Sequence, residues 1–321
     1  MSAQLELKQL RTHFPISRGR IVKAVDGVDL SIERGETFGL VGESGCGKST
    51  LGRTIKGIYK PTSGEVVFDG QDTAGLSKAE TRSFSRRMQM IFQDPYASLD
   101  PRLTVGEIIA EGLEIHQLGS RAEQREKVRE IMALVGLNPE YQNRFPHEFS
   151  GGQRQRIAIA RALVVDPEMV VCDEPISALD VSIQGQIVNL LKSLQERIGL
   201  TYLFVAHNLS MVKYISDRVG VMYLGRLVEV APKHELFANP LHPYTQALLS
   251  SVPIPDPRLE AARVEKTPEG ELPSPIGTIE GCAFRTRCPL AHEACRTMQP
   301  VLTQAAPQHG VMCTLHGTPF G

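Results

Sequence analysis

The chain has 321 residues, 41% hydrophobic and 22% charged, with a formal net charge of −1; that is a globular composition, long enough for one domain plus an extension. The near-neutral charge removes the basic field that gathers nucleic-acid backbone, so no nucleic-acid partner is expected. No apolar run reaches the roughly 18 residues that cross a bilayer, and the start, Met-Ser-Ala-Gln-Leu-Glu-Leu-Lys, lacks the apolar stretch of a signal peptide.

Residues 22–41 alternate apolar and polar (Val22, Ala24, Val28, Leu30, Ile32) and predict half-buried strands joined by an Arg34-Gly35-Glu36 turn. A Gly-rich loop follows, then a helix from about Lys48 to Ile58. Residues 64–70 read as a short strand closing in an Asp-Gly turn, and Met88–Phe92 as an apolar strand stopped by Gln93-Asp94-Pro95. Residues 104–140 are rich in Glu, Arg, Ala and Leu at helical spacing and predict a helical insert. A helix after Ser150 stops at Asp166-Pro167. Met169–Cys172 and Tyr202–Ala206 are continuous apolar runs suited to buried parallel strands, separated by a helix near 182–198, which makes a βαβ unit. From about Ala231 prolines multiply and long periodicity ends, predicting a separate, irregular module.

The strongest motif is Gly42-Glu43-Ser44-Gly45-Cys46-Gly47-Lys48-Ser49, followed by Thr50. Its glycines let backbone N–H groups face phosphate oxygens, Lys48 reaches the β/γ-phosphates and Ser49 offers a hydroxyl to Mg2+. The helix behind it presents a positive N-terminus to the anion. Asp173-Glu174 closes an apolar strand: the aspartate would hold Mg2+ through water and the glutamate would act as general base. His207 ends another strand on the carboxyl edge, where parallel sheets bind ligands. Ser150-Gly151-Gly152-Gln153 puts a serine N-cap and two glycines at a helix start, a second anion site.

The order of these motifs resembles the nucleotide-binding subunit of an ABC transporter, and the resemblance spans essentially the whole chain. It implies an α/β fold: a P-loop ABC ATPase core with an antiparallel β subdomain (1–93 and 150–230), a helical subdomain (94–149) and a small Cys-rich C-terminal extension (231–321). It implies that Gln93 senses the metal and attacking water, so that Mg2+ is met by Ser49, Gln93 and Asp173, and that His207 contacts the γ-phosphate. Ser177-Ala178-Leu179-Asp180 matches the loop that crosses the dimer interface, and the Ser150 loop with Asp180 would complete the ATP site of a partner. The family commonly has Leu where Phe149 stands, a packing position expected to tolerate the change. It also stacks adenine on an aromatic residue about twenty residues before Gly42, where Gly19-Arg20-Ile21-Val22 stands here; adenine would meet aliphatic side chains or Phe14.

Asn239-Pro-Leu-His-Pro-Tyr-Thr-Gln-Ala-Leu248, Met222-Tyr-Leu-Gly225, Phe145-Pro-His-Glu148 and Gln93-Asp-Pro-Tyr-Ala-Ser-Leu-Asp100-Pro101 resemble the oligopeptide/dipeptide importer branch, with the wording of its F subunit. That branch implies a second homologous ATPase in a heterodimer, two membrane permeases and, indirectly, an extracytoplasmic substrate-binding protein, with this chain peripheral on the cytoplasmic face. Nickel or glutathione import, or a non-transport ABC ATPase, are the alternative functions. Residues 94–105 would receive a permease helix or simply pack on the insert.

Of six cysteines, four stand in the last forty residues: Cys282, Cys288, Cys295 and Cys313, spaced x5, x6 and x17. A reducing compartment argues against disulfides. A [4Fe-4S] cluster, known in some members of this branch, tolerates wide spacing; tetrahedral Zn2+ usually wants closer pairs; unligated thiols are the third reading.

Overall fold

A computed structural model describes residues 3–16, 19–251, 273–274, 276–277 and 279–316. Two long antiparallel strands open it, β1 (Ala3–Pro15) and β2 (Ile21–Glu33). After the Gly35 turn comes β3 (Thr37–Val41), buried at every residue. Helix α1 (Lys48–Ile55) is shorter than expected, because Gly57 at φ 81° ends it in the left-handed conformation that helix C-termini favour. β4 (Ser63–Phe68) and β5 (Gln71–Asp72) meet across Asp69-Gly70, both at positive φ, as an Asp-Gly hairpin turn requires. Sheet order β2-β1-β4-β5 makes the expected antiparallel subdomain.

Next come α2 (Lys78–Arg87), β6 (Met88–Ile91), the single turn α3 (Pro95–Ser98), α4 (Val105–His116) and α5 (Arg121–Leu134). Thr104 and Ser120 cap α4 and α5, with Glu107 and Glu123 completing capping boxes that fix where these helices begin. α6 (Gly151–Leu163), β7 (Met169–Asp173), α7 (Val181–Ile198), β8 (Thr201–Val205) and α8 (Leu209–Ile215) come next. The 3-8-7-6 run of strands is parallel, with the crossover helices covering its faces.

β9 (Arg218–Tyr223), β10 (Arg226–Pro232), α9 (Lys233–Ala238), α10 (Pro243–Ser250), α11 (Ala294–Thr297), β11 (Thr303–Ala306) and β12 (His309–Val311) follow. The whole second sheet runs β11-β12-β10-β9-β3-β8-β7-β6. The C-terminal region is thus less separate than its prolines suggest: β12 pairs with β10, and Glu229 of β10, wholly buried, accepts hydrogen bonds from His309 Nε2 (2.7 Å) and from the N–H groups of Leu241 and His242 (2.8 and 2.9 Å). A buried carboxylate with three donors is satisfied and fixes the register of what it holds. Residues 252–272 of that region lie outside the described residues. No described helix is long and apolar enough to cross a membrane.

Candidate active site

The phosphate-type loop leaves the buried end of β3 and enters α1 through Gly47 at φ 108°; a Cβ there would stand 2.0 Å from the Ala24 carbonyl oxygen, so the turn requires glycine. Lys48 is 4% exposed and folds back, its ammonium donating to the carbonyl oxygens of Gly42 (2.9 Å) and Glu43 (3.0 Å). A cation is therefore held inside the curve of the loop, where it can meet an anion gathered by the N–H groups and helix end.

Ser49 donates its hydroxyl to Asp173 Oδ1 at 2.7 Å. Asp173 ends β7 with no exposure; its Oδ2 has no hydrogen-bond partner, and Arg53 Nη2 lies 3.6 Å off. Burial raises the Asp173 pKa, while the Ser49 bond and the Arg53 charge pull it down. An orphaned, buried carboxylate oxygen beside a serine hydroxyl is an oxygen-only donor set that fits Mg2+ with its retained waters.

Glu174, the next residue, takes φ 48°, a conformation that non-glycine residues avoid. Its N–H donates to the Val205 carbonyl (3.0 Å), pinning it to the end of β8. Its Oε2 accepts from Gln93 Nε2 at 2.8 Å, and His207 Nδ1 lies 3.6 Å away. Gln93, Glu174, His207 and the loop thus follow four neighbouring parallel strands at their carboxyl ends, the edge where such sheets hold ligands. A cavity of about 400 Å³ opens over the loop, lined by Lys48, Ser49, Gln93 and Glu174 and also by Phe14 and Val22. Phe14 does fold back to this cavity, braced edge-on by Tyr59 at 5.2 Å, and Val22 lines it too.

Ser150, Gly151, Gly152, Gln153 and Asp180 are not among the residues lining this cavity. Ser150 caps α6, accepting from the Gln153 N–H while Gln153 Oε1 accepts from the Ser150 N–H at 3.0 Å. Asp180 precedes α7 and is exposed, without a side-chain capping bond. Phe149 is 5% exposed and packs edge-on against Tyr141, so the change from leucine falls on a packing position.

Sequence reading missed two residues that touch the loop. The Tyr244 hydroxyl accepts the Glu43 N–H at 2.9 Å, and Arg287 donates from both terminal nitrogens to the Glu43 carboxylate at 3.0 Å each. Tyr244 lies within the Asn239–Leu248 motif, which could have flagged it; nothing local to Arg287 could.

The expected metal centre in the C-terminal region gains no support. Among the described residues no group of three or more His, Cys, Asp or Glu side chains is arranged to hold a metal ion. All four cysteines are free thiols there, Cys295 buried and the others half-buried. Cys295 Sγ is 3.1 Å from His292 Nδ1, and the Cys282 N–H donates to the Cys295 carbonyl at 2.8 Å. Burial raises the pKa of Cys282, Cys288 and Cys313, and each of these thiols also feels the charge of at least one other cysteine of the four.

The ABC transporter family model matches residues 25–177, and that of the oligopeptide/dipeptide transporter C-terminal region matches residues 228–295. The chain is 62% identical over 264 residues to the oligopeptide transport ATP-binding protein OppF of Bacillus subtilis, covering 82% of this chain and 86% of that protein. It is 54% identical over 319 residues to AppF of the same organism, also an oligopeptide transport ATP-binding protein, covering 97% of each. Among solved structures, a dimeric post-hydrolysis ATP-binding cassette bound to ADP and Pi superposes with a TM-score of 0.65 at 32% identity, over 71% of this chain and 98% of that one. With the loop, the carboxyl-edge residues and both halves of the sequence accounted for, the chain belongs to the ATP-binding subunits of ABC transporters, in the branch that carries the oligopeptide/dipeptide transporter C-terminal region.

Proposed function

We propose that the chain hydrolyses Mg-ATP as one of two ATPase subunits of an importer for di- and oligopeptides, working beneath separate permeases on the cytoplasmic face of the membrane. The observation that carries this reading is that Ser49, Gln93 and Glu174 line a single cavity above the phosphate loop, with Asp173 bonded to Ser49 and His207 beside Glu174. The relatives that share the C-terminal region are named for oligopeptide transport, which favours peptides over nickel or glutathione.

The mechanism follows from the placement of each group. Lys48 exchanges its bonds to the Gly42 and Glu43 carbonyls for β/γ-phosphate oxygens, and the loop N–H groups take the remaining oxygens. Ser49 and Asp173, with Gln93, would hold Mg2+, which supplies neutralisation of the phosphate charge when bound. Glu174 accepts a proton from water as the water oxygen attacks the γ-phosphorus and the bond to the β-phosphate oxygen breaks, leaving ADP and phosphate. Gln93 and His207 orient that carboxylate and the water. Phe14 and Val22 bound the space for adenine. Water remains on the open side of the cavity until a second ATPase subunit closes it, while this chain's Ser150 loop and Asp180 close the site of that subunit.

A further cavity of about 650 Å³ lies between the sheet edge and the helical insert, lined by Phe92, Gln93, Asp94, Ala97 and Glu111 among others. Its position beside Gln93 suits a cytoplasmic permease segment, linking transport to the residue that contacts Glu174. By residue type Cys282, Cys288, Cys295 and Cys313 would supply the all-thiolate donor set of an iron–sulfur cluster bracing the module, though among the described residues they are not arranged as a metal site. Iron and sulfide analysis of anaerobically purified protein tests that part; colourless, iron-free protein removes it.

The function itself is tested by reconstitution. Co-purified with its permeases in proteoliposomes, the complex should release phosphate from ATP and accumulate a labelled oligopeptide, both lost in Lys48→Ala. ATP turnover without peptide accumulation, or accumulation of nickel instead, would overturn the substrate reading.

A further inference from the structure

Glu43 is the only acidic residue in the Gly42–Ser49 loop. Glu43 does not itself line the cavity, but Ser44 to Thr50, which follow it, do, so its charge must be neutralised or turned away for anion binding there to be favourable. Arg287 does both. Its two terminal nitrogens donate in parallel to the two Glu43 oxygens, a bidentate pair with the arginine side chain 9% exposed and the glutamate 28% exposed. The arginine comes from the far C-terminal region, one residue before Cys288.

The pair is braced from below. Arg287 stands over the Tyr223 ring, 6.0 Å from its centre. Tyr223, Tyr244 and Phe284 form a buried aromatic trio with ring centres 4.7 to 5.4 Å apart. Phe284 belongs to the cysteine module, and its carbonyl accepts the Arg287 N–H at 3.0 Å. Tyr244 meanwhile accepts the Glu43 N–H. The first residue after the leading glycine is thus held at both its backbone and its side chain, by elements 201 and 244 residues downstream. The Glu43 carbonyl at the same residue accepts from Lys48 Nζ.

Resting on the ATP reading above, we infer that Arg287 is a positioning residue for nucleotide binding: it neutralises Glu43 and presets the phosphate loop, so that the cysteine-rich region governs how tightly this subunit takes ATP. Anything that loosens that region acts on ATP affinity before it acts on chemistry, because neither Arg287 nor Tyr244 reaches Glu174 or Asp173.

The test measures Mg-ATP affinity of the full chain by titration with a fluorescent ATP analogue, and KM against kcat in the complex reconstituted with its permeases. Wild type, Arg287→Gln, Arg287→Lys, Glu43→Gln and the double variant Glu43→Gln/Arg287→Gln are compared, with thermal melting of each apo protein. Arg287→Gln is expected to weaken ATP binding about tenfold, raising KM while kcat at saturating ATP changes less than about twofold. Arg287→Lys should recover part of the loss by restoring charge without the fork. In the Glu43→Gln background, where no charge needs neutralising, Arg287→Gln should add almost nothing. Unchanged ATP affinity in Arg287→Gln, or equal losses in both backgrounds, would overturn the inference. So would a lowered melting point accompanied by a fall in kcat alone, since that marks a structural brace. Wild-type protein that fails to bind Mg-ATP would instead overturn the ATP reading itself.

Discussion

Glu174→Gln separates binding from chemistry at this site. The amide keeps the shape of the side chain, and its carbonyl oxygen can still accept from Gln93 Nε2, now at 2.8 Å from the carboxylate. The backbone strain at φ 48° and the Glu174 N–H bond to Val205 belong to the main chain and survive the change. The fold should therefore lose less than about 1 kcal/mol. What disappears, on the reading proposed above, is the carboxylate that takes a proton from water; Asp173 beside it is fully buried and bonded to Ser49. Removing a positioned general base costs about 10² to 10⁴ in rate, or about 3–5 kcal/mol of transition-state stabilisation. Phosphate release from the reconstituted complex should fall by that factor while ATP affinity stays within about threefold of wild type. Size-exclusion chromatography in Mg-ATP should then show the chain trapped in a closed pair with its partner ATPase. Turnover within tenfold of wild type would refute the assignment of the base, and loss of ATP binding would refute the placement of Glu174 outside the phosphate cradle.

Two further predictions follow from named contacts. Phe14→Ala removes a cavity-lining ring braced by Tyr59 and should weaken ATP binding about tenfold, within the about 1–3 kcal/mol that aromatic contact with a base contributes, with kcat unchanged; an unaltered affinity would leave adenine to Val22. Burial holds the His242 pKa down at about 4, and its Nδ1 accepts the Tyr244 N–H at 3.0 Å, as a neutral ring must. The unfolded chain takes up this proton near pH 6.5 and the folded chain only near pH 4, so stability present above about pH 6.5 is lost as pH falls through that window. Denaturant melts at pH 7.5 and 4.0 should show wild type losing about 3 kcal/mol more than His242→Asn; equal losses would contradict the buried neutral ring.

Much of this site is legible in sequence because the chemistry is local there. The loop, Asp173-Glu174 and His207 each sit at the end of a buried strand whose apolar run announces it, and a parallel sheet brings such ends to one edge. Strand β1 was not foreseen: register shifts after Ala3, Leu7, Leu10 and Thr12 break its alternation, and Gln9 turns to positive φ. β11 and β12 are equally silent, being four and three residues long, the first exposed at three of its four residues. Their place in the main sheet depends on the Glu229–His309 pair across 80 residues. The clamp on Glu43 is the extreme case, since a bond spanning 244 residues leaves no periodicity or spacing to read.

The central claim is that this cavity is one half of an ATP site and that the glycine-capped start of α6 supplies the other half to a partner. The direct measurement is the structure of the Glu174→Gln complex, with its permeases and sister ATPase, trapped with Mg-ATP. The account predicts Ser150 Oγ of this chain within about 3 Å of the γ-phosphate held by the sister subunit's loop. Ser150 facing solvent in a complex whose wild-type counterpart hydrolyses ATP at full rate would contradict it.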